Sequence, residues 1–592
     1  MTDHFRPGLA PPLLGFPRWG AVGGQGPETR TPACRTAPCK RTCGFGAVPS
    51  EGRAFRWGGV GGRAAAYHHA TMRRLSSLFL LLLLVLVAAG CGTDDGASSA
   101  SDADPAAAAP ASAPVYAEIT VRPDGDVRTD AEAALKKILH TDDPSAKAKE
   151  LFDKTLKDDH LSWDKDFAPW VGQRAGLFIS GFGTDGDSVD GAVVLPTSNA
   201  DEAERAITSD LDKKKLTKRT YKGVDYVLEA GDDFNGYAVA GDYALIGSEP
   251  GIKVAIDTIK GGPSLATTAE HKASRASVKA DAGLAFASVD VGRIFDLVAK
   301  TSMGGGQADF LRTYFDQLGT RIAIGGQADA NAIRFLLSSD GDTFTKQAGG
   351  GISEAVAALP GDAWLALGLG DIGATAATGL EQLGKLGADS GFDFDAISKS
   401  VEKETGLDLK DDLLSWMGQT TIYARGSSLL TLGAVLSIET KDAAKSRRAV
   451  LKIAGLLAKN GLQISSAQIP GYEDVARIKV DALPMPLFLA SGKDRVSIGV
   501  NADAIAAVAD PKEKLGDSAT YKQAEQALGG GVKPAFLLDF PTVKRMLEGV
   551  AGLGADESYK KAEPYLAAIG TIVAGGSVGA GKATGVLAVG LK

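Results

Sequence analysis

Apolar and polar positions alternate with two periods along most of the chain. "GLFISGF" from Gly176, "GAVVLP" from Gly191 and "DYVLEA" from Asp225 read as short strands separated by turn residues. Asp185–Asp190 and "GDDFNG" at 231–236 carry the residues of hairpin turns. Elsewhere the period lengthens: Val450, Ile453, Ala454 and Leu457 share one face of a helix. Hairpins outnumber strand–helix–parallel-strand units, so the pattern predicts an α+β fold with mostly antiparallel sheet and packed helices.

The pattern is also written twice. "APWVGQRAGLFISG" around Trp170 matches "LSWMGQTTIYARG" around Trp416. "GAVVLPTSNADEAERAI" matches "GAVLSIETKDAAKSRRAV", and "YALIGSEPGIKVAIDTI" matches "RVSIGVNADAIAAVADP". "AGLAFASVDVGRIFDLV" matches "VKPAFLLDFPTVKRMLEGV", and the segment from Leu318 matches that from Ile569. Five blocks in constant order imply two homologous halves, 115–341 and 359–592, joined by a linker at 342–358. Two halves of one design create a crevice between them, a common place for a ligand.

One segment breaks the pattern. "MRRLSSLFLLLLLVLVAAGCG" starts at Met72 with a basic pair, continues in the apolar run Leu78–Val87, and ends in small residues before Cys91. That is the anatomy of an export signal over 72–90, and the apolar run is too short to span a bilayer, which takes about 20 residues. Because a signal works at an N-terminus, Met72 is the expected start, with 1–71 a disordered upstream stretch. Cys34, Cys39 and Cys43 within it lack a usual zinc spacing. Residues 91–114, rich in Ala, Ser, Asp, Gly and Pro, read as a flexible tether.

Charge changes the picture modestly. The chain has 64 Lys+Arg and 72 Asp+Glu, a net −8. Residues 1–90 hold 11 of the basic and 3 of the acidic residues, so the remainder carries about −16. That balance argues against nucleic acid as partner. No cysteine follows Cys91, so stability there rests on core burial without disulfides.

Four motifs suggest chemistry, and their contexts argue against it. Gly368, Gly370 and Gly373 have dinucleotide-site spacing, yet no parallel strand ending in an acid follows. Gly576, Gly581 and Lys582 approach a phosphate loop, but Ala583 replaces the hydroxyl residue and too little chain follows. Ser577 sits in G-x-S-x-G, but no histidine comes after His271. Asp185, Asp187 and Asp190 suggest calcium, with Val189 where a ligand belongs. His140, His160 and His271 show no ligand spacing. Catalytic residues, metal and cofactors are therefore expected to be none. Trp170 and Trp416 recur at matching points; core packing is the main reading and ligand stacking the alternative.

The signal, the W-x-G-Q blocks at Trp170 and Trp416, the "ALPGDAWLALGLGD" opening at Ala358 and the duplication together resemble an actinobacterial family of secreted lipoproteins. Its repeated domain is known only as domain of unknown function thirty-three fifty-two. The small residues before Cys91 resemble a lipobox, although Ala88 stands where Leu, Val or Ile is usual. The first half departs from the family opening, lacking its Leu-Pro. The resemblance implies cleavage after Gly90, diacylglycerol on the Cys91 sulfur, and anchorage at the outer face of the cell membrane. It implies no reaction. The expectation is a non-catalytic binding or scaffolding protein of the envelope, with an unknown protein or apolar ligand as partner. A carrier of a lipid or apolar ligand in the inter-repeat crevice, and an envelope hydrolase with an unrecognised site, are the alternatives.

Overall fold

The computed structural model describes residues 102–592 except 156–161, 184–187, 209–210, 212–215, 231–233, 299–320, 341–350, 391–393, 429–430, 552–556 and 580–581. The expected upstream stretch, the signal and Cys91 lie outside the described residues.

The first half runs β1 (Val115–Thr120), α1 (Gly125–Leu139), α2 (Pro144–Thr155), β2 (Arg174–Phe182), β3 (Val189–Pro196), α3 (Ala200–Thr208), β4 (Leu216–Tyr221), β5 (Val224–Glu229), β6 (Gly236–Ala240), β7 (Tyr243–Gly247), α4 (Glu249–Ile259), α5 (Ala269–Ser277), β8 (Ala285–Asp290), α6 (Val291–Val298), β9 (Arg321–Ala328) and β10 (Ala332–Ser339). The second runs α7 (Ile352–Ala357), β11 (Leu365–Asp371), α8 (Ile372–Ser390), α9 (Phe394–Thr405), β12 (Met417–Arg425), β13 (Gly433–Thr440), α10 (Ala443–Lys459), β14 (Gln463–Ser466), β15 (Asp474–Lys479), β16 (Leu487–Ser491), β17 (Arg495–Val500), α11 (Ala502–Ala509), α12 (Ala519–Leu528), β18 (Pro534–Asp539), α13 (Phe540–Ala551), α14 (Glu557–Ala567), β19 (Ile569–Gly579) and β20 (Lys582–Leu591). The fold is α+β, as the pattern predicts.

Strand order in the first half is 4-5-6-7-3-2-1-8-9-10, and in the second 14-15-16-17-13-12-11-18-19-20. The same topology appears twice, every pairing antiparallel. The last strand of each half pairs with the last of the other, from Ala332↔Gly590 to Ser339↔Ala583. Twenty strands thus form one sheet. This corrects the expected crevice: the halves meet edge to edge through backbone hydrogen bonds, which also closes two edges that would invite aggregation.

One face of the sheet is a deep core. Tyr116, Phe178, Leu245 and Phe286 are buried there in the first half, beside Ile252 and Ile256 of α4. Tyr423, Val435, Leu537 and Val573 are buried in the second, beside Ile505, Tyr521 and Leu528 of α11 and α12. Helix starts follow the sequence: Thr268 accepts from the His271 amide at 3.2 Å and Ser518 from the Tyr521 amide at 3.1 Å, equivalent caps on α5 and α12.

Two boundaries move. The tether does not extend to residue 114, because Asp104 caps a short 3-10 turn, Pro105–Ala107, and Ala106, Ala108 and Ala109 are fully buried. Ala111 N donates to the Pro263 carbonyl and Leu265 N to that of Ala109, matching Gly361 N to Glu513 and Leu515 N to Leu359. Ala109–Pro110 is therefore the counterpart of Leu359–Pro360, and the family opening is present with Ala for Leu. Likewise the expected linker 342–358 contains α7, whose Val356 is fully buried in the second core.

Candidate functional site

The opposite face of the sheet is also apolar, and among the described residues it is only partly covered. Register places one unbroken row across it: Ala175, Ile119, Ala285, Gly326, Phe335, Leu587, Ala574, Phe536, Leu367, Ile422, Leu436, Ile498 and Leu489. Strand alternation makes both faces apolar, the signature of a sheet meant to be covered on both sides.

At its two flanks the row is covered. In the first half a π-helical turn, Trp163–Phe167, packs with Phe152, Trp170 and Ala203 over Ile119 and Ala175. In the second, the turn Leu409–Leu414 and α10 pack with Trp416 over Leu436, Ile498 and Leu489. The tryptophans are equivalent in detail. Trp170 Nε1 donates to the Asp166 carbonyl at 2.6 Å and Trp416 Nε1 to the Asp412 carbonyl at 3.1 Å. The Asp166 carboxylate accepts from the Ser162 amide, and that of Asp412 from the Asp408 amide. With 1% and 2% exposure, neither indole offers a face to a ligand. Their role is packing, and the stacking alternative is corrected.

Between the flanks lies the open part, from Gly326 to Ile422. It spans six strand spacings, about 29 Å at ~4.8 Å each. Phe335, Leu337 and Leu587 are 43%, 46% and 44% exposed here, around the strands that join the halves. Ile324, Ile333, Ile572 and Val589 beside them are half-buried. A lone exposed leucine is ordinary, whereas a contiguous apolar patch marks a binding surface.

Among the described residues, amphipathic helices lie over this trough and leave part of it exposed. α1 rests over β9 and β20, α13 over β19, α8 over β11 and β12, and α6 touches β2 and β9. α6 presents Val291, Ile294, Phe295 and Val298, all half-buried and none fully buried. Helix α1 of the first half also meets α14 of the second. There the His140 ring bonds the Pro564 carbonyl at 2.7 Å through Nε2. Ala568 N donates instead to Tyr565 O, so the helix end leaves the Pro564 carbonyl free for His140. The sequence around His140 shows no ligand spacing and carries no signal of this contact.

The deep core of the first half holds the chain's main buried polar cluster among the described residues. Glu118, 6% exposed, accepts from Tyr116 Oη at 2.7 Å, is paired with Arg275, and has Arg174 at 3.6 Å. Burial pushes the Tyr116 hydroxyl pKa well up, with Glu118 adding to it. Burial works against the Arg275 cation, and Glu118 outweighs it, raising its pKa. His271 stands edge-on to Tyr116 and Phe286 at 5.3 and 5.5 Å. Neither of its ring nitrogens has a hydrogen-bond partner. Burial, then Arg275, lowers its pKa, so it is held neutral. The adjoining cavity, about 30 Å³, has room for one water-sized molecule. Glu118 is neutralised by cations, and the hydroxyl residues Thr268, Ser274 and Ser288 line the space with His271, whose ring makes no hydrogen bond to any of them.

The other motifs resolve into packing. Gly368 and Gly370 flank a bulge in β11, Gly370 with φ +70°, and a Cβ on Gly373 would strike the Leu414 and Met417 carbonyls. Lys582 and Ala583 pair in the β19–β20 hairpin, where Ser577 Oγ meets Thr584 Oγ1 at 3.0 Å; Gly581 lies outside the described residues. Asp185, Asp187 and His160 also lie outside them, and Asp190 pairs within the β2–β3 hairpin. Among the described residues no group of three His, Cys, Asp or Glu could hold a metal, and no helix is long and apolar enough to cross a membrane.

Comparison with known proteins adds a family and little else. The family model described as "Protein of unknown function (DUF3352)" matches residues 75–572. No curated protein matches the chain. Among solved structures, crystal form IV of TP0453 is 12% identical, with a TM-score of 0.21, covering 40% of this chain and 79% of that one. Crystal form III is 12% identical with a TM-score of 0.22, covering 41% and 81%. A likeness this weak carries no argument.

Proposed function

We propose, for a chain that belongs to the DUF3352 family of proteins of unknown function, that it is a non-catalytic carrier which holds the acyl chain of a lipid-class ligand in the trough between its flanks. The observation that supports this reading is the apolar row left open at Phe335, Leu337 and Leu587 beneath partial helical cover. Leaving such surface in water costs about 25 cal/mol for each Å². With α1, α13 and α14 already packed on these strands, the exposed apolar surface between them is narrow, which favours a hydrocarbon chain over another protein's surface. The open length of about 29 Å exceeds the ~15 Å depth of one leaflet, half of a ~30 Å bilayer core, so a long chain fits lying flat.

The segment 72–91 supports an extracytoplasmic protein held to the membrane through lipid on Cys91, which would keep the trough near its source of ligand. Titration with a fluorescent long-chain fatty acid tests the carrier reading. Saturable binding that Phe335→Asp or Leu587→Asp weakens at least tenfold is expected. Binding unchanged in both variants, or no saturable binding, sinks the reading and leaves a scaffold that acts through protein partners.

A further inference from the structure

The equivalent outer helices of the two halves carry opposite charge. α3 (ADEAERAIT) has Asp201, Glu202 and Glu204 against Arg205. α10 (AAKSRRAVLKIAGLLAK) has Lys445, Arg447, Arg448, Lys452 and Lys459 and no acid. Its inner face packs Ala449, Val450, Ile453 and Leu457 near Trp416. Its outer face aligns Arg448, Leu451, Lys452, Gly455 and Lys459, three or four residues apart along one stripe.

These cations are available. Arg447 is taken by Asp474 at 2.6 Å. Among the described residues Arg448 and Lys459 have no acidic partner, and Lys452 reaches the Gly406 carbonyl at 2.5 Å. Leu451 stands among them 50% exposed. The hairpin that follows does not add to this stripe: Ile464 and Ile478 pack in the core beneath α10, so their strand neighbours Arg477 and Lys479 lie on the other face of the sheet.

We propose that the outer face of α10 is a docking surface for an anionic phospholipid bilayer. Arg448, Lys452 and Lys459 engage headgroup phosphates, and Leu451 enters the interface. The charge argument is local: from Cys91 onward the chain carries about −16, so attraction to an anionic surface must come from a concentrated patch. Cations around an exposed leucine suit a surface that offers both phosphate and hydrocarbon. An acidic protein or nucleic acid would satisfy the cations and leave the leucine in water. The proposal stands apart from the trough and does not depend on its ligand.

Hydrogen exchange on the full chain tests it, with vesicles of phosphatidylcholine alone and of phosphatidylcholine with phosphatidylglycerol. Exchange in peptides covering 447–460 should slow about fivefold or more only with phosphatidylglycerol, the factor that one cation at such a surface supplies. It should return to the phosphatidylcholine rate in Arg448→Glu/Lys452→Glu/Lys459→Glu, while exchange in β11, β18 and β19 shows that variant still folded. Equal exchange in both vesicles, or protection that survives the triple variant, overturns the proposal. Protection at α3 instead would overturn it as well.

Discussion

The two halves share a topology and differ in what they bury beneath it. Where the first half has Tyr116 and Glu118 on β1, the second has Ala366 and Gly368 on β11. The small pair lets α7 settle onto the strand: a Cβ on Gly368 would meet Ile352 Cγ2 at 2.5 Å. The first half has only the short turn Pro105–Ala107 there and fills the space with a charged network. After equivalent caps, His271 stands where the second half has Tyr521, also buried and also without a partner for its polar atom. One half is held by an ion network and a neutral histidine, the other by a helix packed on small residues. The fold therefore does not require the network, and the halves should respond differently to charge and pH while responding alike to loss of shared packing.

The largest expected effect tests what they share. Trp170→Ala and Trp416→Ala should each destabilise their own flank by about 3–5 kcal/mol, as for other buried aromatics. Hydrogen exchange resolved by half would measure it, and a loss in only one flank would break the equivalence. A smaller loss, about 2–3 kcal/mol, is expected for Glu118→Ala, because Arg275 loses its buried partner while keeping Asp281, and Arg174 keeps Asp104. The matched change Gly368→Ala acts through crowding instead, at about 1–3 kcal/mol, relieved by trimming Ile352.

Acid should sharpen the difference further. The fold lowers the pKa of His271 below the ordinary ~6.5. Its neutral form is the one the fold favours, so this stability is complete above pH 6.5 and is lost as pH falls below it. Arg275 beside it, with Tyr116 and Phe286 packed around the ring, leaves an added charge unsolvated, with Glu118 already engaged. Protection relative to the intrinsic exchange rate should fall in β8 and β9 between pH 7.5 and 5 while that of β18 and β19 holds steady, and His271→Phe should remove that contrast. Uniform acid sensitivity in both halves would mean the histidine is not its source. The smallest effect on stability is expected for Phe335→Ser, within about 0.5 kcal/mol because the side chain is already 43% exposed. Thermal unfolding would show no shift although acyl-chain binding falls.

The duplication was legible because large residues mark it: Trp170 and Trp416 sit in blocks whose order survives. The family and the α+β class followed from the same blocks. The opening of the first half was hidden because Ala106, Ala108 and Ala109 bury completely yet give little hydrophobic signal, so a core segment resembled a tether. The joint was hidden too. β10 and β20 each read as the second strand of a terminal hairpin, and no periodicity announces that their outer edges pair with each other. The trough depends on that joint, since it sets Phe335 opposite Leu587, and so the site escaped a reading that looked for a crevice or for polar chemistry.

Native mass spectrometry of the full chain, extracted gently from membranes, tests the central claim most directly. The account predicts a bound species of lipid mass in the native spectrum, absent after denaturation and lost in Leu587→Asp. A native mass equal to that of the denatured chain would contradict it.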